Sequence, residues 1–148
     1  SGKAVDASDV PGYLERGRIS GVIDANRVMI PKEYLIGRFA TFDEVAGLEP
    51  DMDVMAETFG VLVYARDGND VLARFFAPGT GVDEDPATGS AAVALATLLS
   101  AGGETSGELA IRQGESIGHP STIQLRWSGD TASIGGTVVL DEVRRLEV

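Results

Sequence analysis

The feature that most constrains the fold is a nearly continuous apolar helix in the second half of the chain. Residues 91–99 read Ala-Ala-Val-Ala-Leu-Ala-Thr-Leu-Leu, and Thr97 is the only polar residue among them. A helix on the surface of a sheet shows one polar face, so this composition predicts a helix enclosed by other elements. We expect an α+β fold in which a mostly antiparallel, curved, barrel-like sheet wraps around this one central apolar helix.

Several short segments are predicted to form the strands of that sheet. Alternation is clearest where Ile123, Leu125 and Trp127 should face one way and Gln124 and Arg126 the other. The other predicted strands are residues 60–65, 71–76, 108–113 and 131–140, with a strand pair or one bent strand over 21–30. Asp67-Gly68 favours a hairpin turn. Short helices are predicted over 42–46 and 51–59, and the core is predicted to include Phe59, Phe75, Phe76 and Trp127.

The length and composition of the chain indicate one ordinary globular domain. The chain has 148 residues, of which 43% are hydrophobic and none is cysteine. Residues 1–20 are polar and do not reveal whether they are ordered, so we place the domain at residues 21–148. No apolar run approaches the roughly 20 residues of a membrane span. Ser1-Gly2-Lys3-Ala4 lacks the apolar stretch of a secretory signal, so we expect a cytoplasmic protein.

The charge of the chain argues against nucleic acid as a partner. The net charge is −11 at pH 7, and an acidic surface repels a phosphate backbone. A small anionic ligand is still compatible with this charge, because the local field at a helix start favours a carboxylate. His119 is the only histidine and no cysteine is present, so we expect no metal site.

A candidate ligand site lies in the loop that leads into the apolar helix. The backbone N–H groups of Gly89, Ser90 and Ala91 are expected at the helix start, where such groups are unpaired and carry partial positive charge. They are suited to hold a substrate carboxylate or an enolate-like oxygen, with Asp85 and Thr88 beside them. The same spacing also fits a plain helix cap by Asp85 or Thr88, and spacing alone does not choose between the two.

Three charged or titratable side chains also have two interpretations each. Asp85 is either a proton acceptor or donor, or a solvated carboxylate of an acidic loop. His119 is either an acid–base group or a loop histidine without a catalytic role. Arg74 either reaches an anionic ligand or forms a salt bridge with Asp85 or Glu84.

Three segments of the sequence resemble the phenazine-biosynthesis PhzF-like family. They are Phe76-Ala77-Pro78, Glu84-Asp85-Pro86-Ala87-Thr88-Gly89-Ser90-Ala91 and Gln113-Gly114-Glu115-Ser116-Ile117-Gly118-His119-Pro120-Ser121. The resemblance implies a diaminopimelate-epimerase-like fold with two similar halves, each a sheet around a central helix. It also implies an active site in the cleft between the halves, facing both helix starts. This chain resembles the C-terminal half only.

The resemblance implies a cofactor-independent isomerase or epimerase that transfers a proton at carbon in a small carboxylate substrate. It implies that Asp85 contacts the substrate and relays protons. It places Thr88, Gly89, Ser90 and Ala91 at the substrate, together with His119, which stands where the family usually has Arg.

The main catalytic Glu of the family belongs to the first half, and no match to that half is found here. Whether this chain is itself an enzyme therefore stays open. It is a fragment, or it pairs with a separately encoded N-terminal half, or two copies pair about a twofold axis as a homodimer. The alternative is a non-catalytic module for binding a small anion or for assembly.

Overall fold

A computed structural model describes residues 4–6, 22–24 and 34–137 of the chain. The strands are β1 (Ala4–Asp6), β2 (Val22–Asp24), β3 (Tyr34–Arg38), β4 (Gly60–Asp67), β5 (Asp70–Ala77), β6 (Val82–Asp85), β7 (Ser106–Gln113), β8 (Ser121–Ser128) and β9 (Thr131–Gly135). The helices are α1 (Phe42–Ala46), α2 (Met52–Met55) and α3 (Gly89–Ala101). Two single turns of 3₁₀ helix lie at Pro78–Thr80 and Glu115–Ile117.

Seven of these strands form one mixed sheet. Its order is β3-β4-β5-β7-β8-β9, and β6 pairs with β5 beside this path. The β3–β4 and β5–β7 pairs are parallel, and the other pairs in the sheet are antiparallel. The prediction of an α+β fold with a mostly antiparallel sheet is therefore confirmed, while β1 and β2 pair separately as two antiparallel strands.

The predicted barrel-like closure of the sheet is wrong. β3 and β9 end the strand path, and within the described ranges no pairing joins them. The reason lies on the sheet face away from α3, which is itself apolar at Leu35, Val61 and Phe76. Val45 of α1 and Met55 of α2 pack against that face. Over β3, β4 and β5 the sheet is therefore covered by helices on both faces, so its apolar residues there are buried without closure of the sheet.

Helix α3 lies against the other face of the sheet and extends two residues beyond the predicted 91–99 at each end. Ala91, Ala92, Leu95 and Ala96 are buried against β3, β4, β5, β7 and β8. On the opposite side of α3, Val93 and Thr97 are half-buried. The helix is thus central to one core layer but not surrounded by the sheet in the described part of the chain.

The local predictions hold best where turn or cap chemistry is strong. The hairpin of β4 and β5 turns at Gly68, whose φ of 58° suits glycine. Helix α1 has the predicted bounds, with a capping box between Thr41 and Glu44. Asp51 caps α2 as predicted, accepting a hydrogen bond from the Val54 N–H.

Two predictions on the helix that begins near Asp51 are wrong. Helix α2 ends at Met55 instead of continuing to Phe59. Phe59 is 39% exposed, in contrast to the buried Phe75, Phe76 and Trp127. The chain turns after α2 to enter β4, so Phe59 lies at the rim of the core, where its ring packs on that of Tyr34 at 5.8 Å between centroids.

The alternating strand behaves as predicted. Ile123, Leu125 and Trp127 are buried, and Gln124 and Arg126 are exposed. Apart from β1 and β2, the predictions for residues 1–30 lie outside the described residues, as does the part of the last predicted strand at 138–140. No helix in the described ranges is long and apolar enough to cross a membrane.

Candidate functional site

The predicted ligand site lies where β6 ends and α3 begins. Asp85 closes β6, and three residues, 86–88, connect it to Gly89. Thr88 takes the N-cap position of α3 with an extended backbone, φ −105° and ψ 90°. Its side chain nevertheless makes no capping hydrogen bond, although threonine is among the residues that usually do so at this position.

The Thr88 hydroxyl is held elsewhere, by Gln113 at the end of β7. Gln113 is 1% exposed, and its Nε2 lies 2.9 Å from Thr88 Oγ1 and 2.6 Å from the Asp85 carbonyl oxygen. A carbonyl only accepts, so this contact identifies the Gln113 atom as the donating nitrogen. The Thr88 hydroxyl accepts from Gln113 and donates its proton to Asp85 Oδ2 at 2.7 Å.

Three backbone donors lie at the uncapped start of α3. The first intrahelical bond runs from the Ala92 N–H to the Thr88 carbonyl oxygen at 3.1 Å. Among the described residues, no acceptor pairs with the N–H groups of Gly89, Ser90 or Ala91. Ser90 is exposed and Gly89 half-buried, whereas Ala91 is fully buried. The donors nearest to solvent therefore belong to Gly89 and Ser90.

Tyr34 of β3 reaches the same helix start. Its hydroxyl lies 3.0 Å from Ser90 Oγ, and its ring makes an edge contact with Phe75 at 5.0 Å between centroids. Tyr34 is 6% exposed, so the ring fixes the hydroxyl beside Ser90. A second hydroxyl thus joins Ser90 at the site.

Gly89 is covered on one side by Ile134 of β9. A Cβ atom on Gly89 would lie 2.5 Å from Ile134 Cδ1, closer than side chains approach. Ile134 itself is 49% exposed. The small size of Gly89 therefore lets β9 pack close to the helix start.

Arg74 is used inside the protein and not for a ligand. Its Nε and Nη2 bind the two carboxylate oxygens of Glu84 at 3.0 and 2.9 Å, and both side chains are at most 10% exposed. Its Nη1 donates to the Leu48 carbonyl oxygen at 2.7 Å, and its guanidinium lies 4.9 Å from the centroid of the Phe76 ring. The salt-bridge interpretation of Arg74 is confirmed, with Glu84 as the partner.

Glu84 is held ionised beside the site. Burial pushes the pKa of its carboxyl upward, but hydrogen bonds from Arg74 and Ser116 and the Arg74 charge outweigh this, so the pKa is lowered from its ordinary value. The Ser116 hydroxyl donates to Glu84 Oε1. The hydrogen bond between Ser116 and the Glu84 carboxylate thus joins the 114–120 loop to β6.

The 114–120 loop lies directly against the 85–90 segment. Gly114 has a φ of 81°, and a Cβ there would lie 2.9 Å from Pro86 Cβ. Ser121 Oγ also donates to the Pro86 carbonyl oxygen at 2.6 Å. His119 is exposed in this loop, and its backbone N–H donates to the Gly114 carbonyl oxygen at 3.0 Å. The structure brings the loop to the site, and a ligand role for the imidazole stays a prediction.

A family model decides what kind of protein this is. The model for phenazine biosynthesis-like protein, PhzC-PhzF, matches residues 33–140. The chain belongs to this phenazine biosynthesis-like family. The match spans both β6 and α3, together with the 114–120 loop, so it includes every predicted site residue.

Three relatives of this phenazine biosynthesis-like chain are named as isomerases. An uncharacterized isomerase of Deinococcus radiodurans is 41% identical in an alignment that covers 53% of this chain and 30% of the relative. An uncharacterized isomerase of Pseudomonas aeruginosa is 37% identical over 66% of this chain and 38% of the relative. The trans-2,3-dihydro-3-hydroxyanthranilate isomerase of Pseudomonas fluorescens is 32% identical over 74% of this chain and 45% of the relative.

Solved structures show the same fold in proteins about twice as long. A PhzC/PhzF protein of Clostridium difficile superimposes with a TM-score of 0.70 at 21% identity, covering 99% of this chain and 54% of that one. A predicted epimerase of Pseudomonas aeruginosa gives a TM-score of 0.56 at 18% identity, covering 94% of this chain and 55% of that one. This family chain therefore spans about half the length of the structures it resembles and less than half of its curated relatives.

Two residues at the site of this phenazine biosynthesis-like chain were not predicted from the sequence to lie there. Gln113 continues the alternation of the buried Leu109 and Ile111 in β7, so strand periodicity alone could have placed its amide inside the protein. Tyr34 carried no such signal, because it meets Ser90 across 56 positions of sequence. In the described part of the chain, no group of three or more His, Asp or Glu side chains is arranged to hold a metal ion.

Proposed function

We propose that this chain is half of a cofactor-independent isomerase or epimerase that binds a small carboxylate substrate at the start of α3. The relatives named as isomerases support the reaction class. The proposed reaction moves a proton at carbon, and the substrate carboxylate or enolate-like oxygen accepts hydrogen bonds from the Gly89 and Ser90 N–H groups. The Ala91 N–H group, one residue further into the helix, adds to the positive electrostatic field at the helix start.

One observation carries this proposal: the N-cap threonine does not cap its helix. Capping usually stabilises a helix by about 1 kcal/mol, and Thr88 has the residue type and position for it. Its hydroxyl instead bonds to Gln113 and Asp85. The N–H groups that meet no acceptor among the described residues, together with the helix dipole, are then available to a negatively charged ligand.

Asp85 is the group we propose for proton relay. Its carboxylate is half-buried at the mouth of the helix start and accepts from the Thr88 hydroxyl at 2.7 Å. Negative charge that develops on the substrate during proton removal would be stabilised by donors already in place. The principal base comes from the facing half, either a separately encoded subunit or a second copy of this chain.

Exposed apolar side chains near the site are consistent with such a facing half. Phe59, Ile117 and Ile134 are each at least 36% exposed. Phe59 contacts Tyr34, Ile117 belongs to the 114–120 loop, and Ile134 covers Gly89. Burial of such groups against a second half is favourable at about 25 cal/mol per Å².

The second candidate function is an anion-binding module without catalysis. It is favoured by the state of Asp85, whose two carboxylate oxygens accept from the Thr88 hydroxyl and, at 3.4 Å, from the Ala87 N–H. A carboxylate held in this way serves equally well to order the loop. The following two experiments separate these functions.

Replacing Gly89 with valine is expected to weaken carboxylate binding at least tenfold. A side chain at residue 89 obstructs the N–H groups and displaces Ile134, whose Cδ1 would lie 2.5 Å from the new Cβ. We would measure binding of 3-hydroxyanthranilate, a stable aromatic carboxylate, by titration calorimetry. The Gly89→Val change is made in an Ile134→Ala background, and Ile134→Ala alone is the control. Equal affinity in both proteins would count against the site.

Replacing Asp85 with asparagine is expected to abolish solvent deuterium exchange into the substrate, because the amide cannot relay a proton. The first substrate to test is trans-2,3-dihydro-3-hydroxyanthranilate, named for the Pseudomonas fluorescens relative. Exchange is followed by NMR at high protein concentration, where self-pairing is favoured. Exchange that survives in Asp85→Asn removes Asp85 from the mechanism. Saturable binding of the compound without exchange in the unmodified chain supports the non-catalytic module.

A further inference from the structure

We infer that Gln113 is the positioning residue that keeps the start of α3 open to a ligand. The inference rests on the proposed anion site and explains why that site exists despite a threonine at the N-cap. Gln113 is 1% exposed and is the last residue of β7. It does not face the ligand and acts through Thr88.

The hydrogen-bond directions around Thr88 explain this role. The Gln113 amide nitrogen donates to Thr88 Oγ1 at 2.9 Å, so one lone pair of that oxygen is occupied. The hydroxyl proton goes to Asp85 Oδ2 at 2.7 Å. Two fixed partners hold the oxygen away from the helix, whereas a capping threonine turns its oxygen toward the N–H of the second or third helical residue. In this helix those residues are Ser90 and Ala91.

The same amide also sets the backbone before the helix. Gln113 Nε2 donates at 2.6 Å to the carbonyl oxygen of Asp85. One buried side chain therefore binds both ends of the 85–88 turn, the carbonyl of its first residue and the hydroxyl of its last. A leucine at residue 113 would fill the space but release both contacts, because it has no donor.

The test compares Gln113→Leu with Gln124→Leu, which makes the same chemical change on the exposed face of β8. In Gln113→Leu, the freed Thr88 hydroxyl is expected to cap α3. Hydrogen exchange of the Ser90 amide should then slow about tenfold, and binding of 3-hydroxyanthranilate should weaken at least tenfold. Gln124→Leu should change neither quantity by more than about twofold. Unchanged Ser90 exchange in a folded Gln113→Leu protein would overturn the inference.

A second variant separates positioning from packing. Adding Thr88→Val to Gln113→Leu removes the hydroxyl that would cap the helix, so fast Ser90 exchange should return to within about threefold of the unmodified chain. Failure to return, with the fold intact by circular dichroism, would show that Gln113 acts through packing alone. Should Gln113→Leu fail to fold, Gln113→Met is used, since it keeps the length and flexibility of the side chain.

The two readouts distinguish this inference from the proposed function. If the unmodified chain does not bind 3-hydroxyanthranilate, the proposed site is wrong for this ligand class. The Ser90 exchange rate still decides whether Gln113 prevents the cap, because that measurement needs no ligand.

Discussion

Replacing Arg74 with methionine is expected to destabilise the fold by about 3–5 kcal/mol, the usual cost of removing one partner from a buried ion pair. Arg74 and Glu84 are 10% and 7% exposed in their side chains. The change leaves the Glu84 carboxylate without its counter-ion and the Leu48 carbonyl without its donor at 2.7 Å. Methionine keeps an unbranched stem over Phe76, so the loss reports on charge and hydrogen bonding. Urea unfolding measures it.

The matched control for Arg74→Met is Arg66→Met. Arg66 pairs with Glu104 at 2.9 Å, but their side chains are 19% and 48% exposed. Exposed pairs contribute about 0–1 kcal/mol, so this change should cost far less. The double variant Arg74→Met with Glu84→Leu should recover much of the loss because no charge is left unpaired. Equal costs for Arg74→Met and Arg66→Met would contradict the buried pair.

The pH dependence gives a further check on the same pair. The pKa of Glu84 is lowered in the folded protein from its ordinary 4.5, so its stabilising contribution is present above that value and is lost as the pH falls through the lowered pKa. Without Arg74, burial raises the pKa of Glu84, and the carboxyl is protonated sooner. The difference in unfolding free energy between Arg74→Met and the unmodified chain should therefore be largest near pH 7 and shrink toward pH 4.

Replacing Leu95 with aspartate is expected to unfold the domain. Leu95 is 0% exposed at the middle of α3, against the core face of the sheet. Losing a buried leucine costs about 2–5 kcal/mol, and burying an unpaired carboxylate adds several more. Together these reach the roughly 5–15 kcal/mol by which domains are stable. Circular dichroism and the amide dispersion of an NMR spectrum would report the loss.

The control for Leu95→Asp is Thr97→Asp on the opposite side of the same helix. Thr97 is half-buried, and its hydroxyl bonds to the Val93 carbonyl oxygen at 3.1 Å. An aspartate at this position keeps access to water, so the protein should stay folded. A soluble, folded Leu95→Asp protein would mean that α3 is not part of the core.

Some parts of the candidate site could be predicted from the sequence and others could not. The Asp85–Ala91 segment is local, and its Gly, Pro and hydroxyl residues before an apolar run predict a helix start directly. Whether Thr88 caps that helix depends on Gln113, which is 25 positions away in sequence. Cap and ligand site are therefore alternatives at the level of sequence, and the distant contact with Gln113 shows that Thr88 does not cap the helix.

The sheet shows the same division. Strands β4, β5, β7 and β8 follow from apolar runs, alternation and an Asp-Gly turn, which are properties of neighbouring residues. The order that places β5 beside β7, and the open ends at β3 and β9, depend on pairing between segments that are far apart in sequence. A short helix is easy to predict, but the face that it covers is not.

By itself, the sequence determined the apolar helix, the strands β4, β5, β7 and β8, the family resemblance and the residues at the helix start, because each of these depends on residues that are neighbours in the sequence. The tertiary structure decided that the sheet stays open, that Arg74 is committed to Glu84, and that Thr88 faces Gln113 and Asp85 instead of the helix. These outcomes depend on which side chains far apart in sequence come within hydrogen-bonding distance, and a hydroxyl or guanidinium pairs with the partner that packing places next to it.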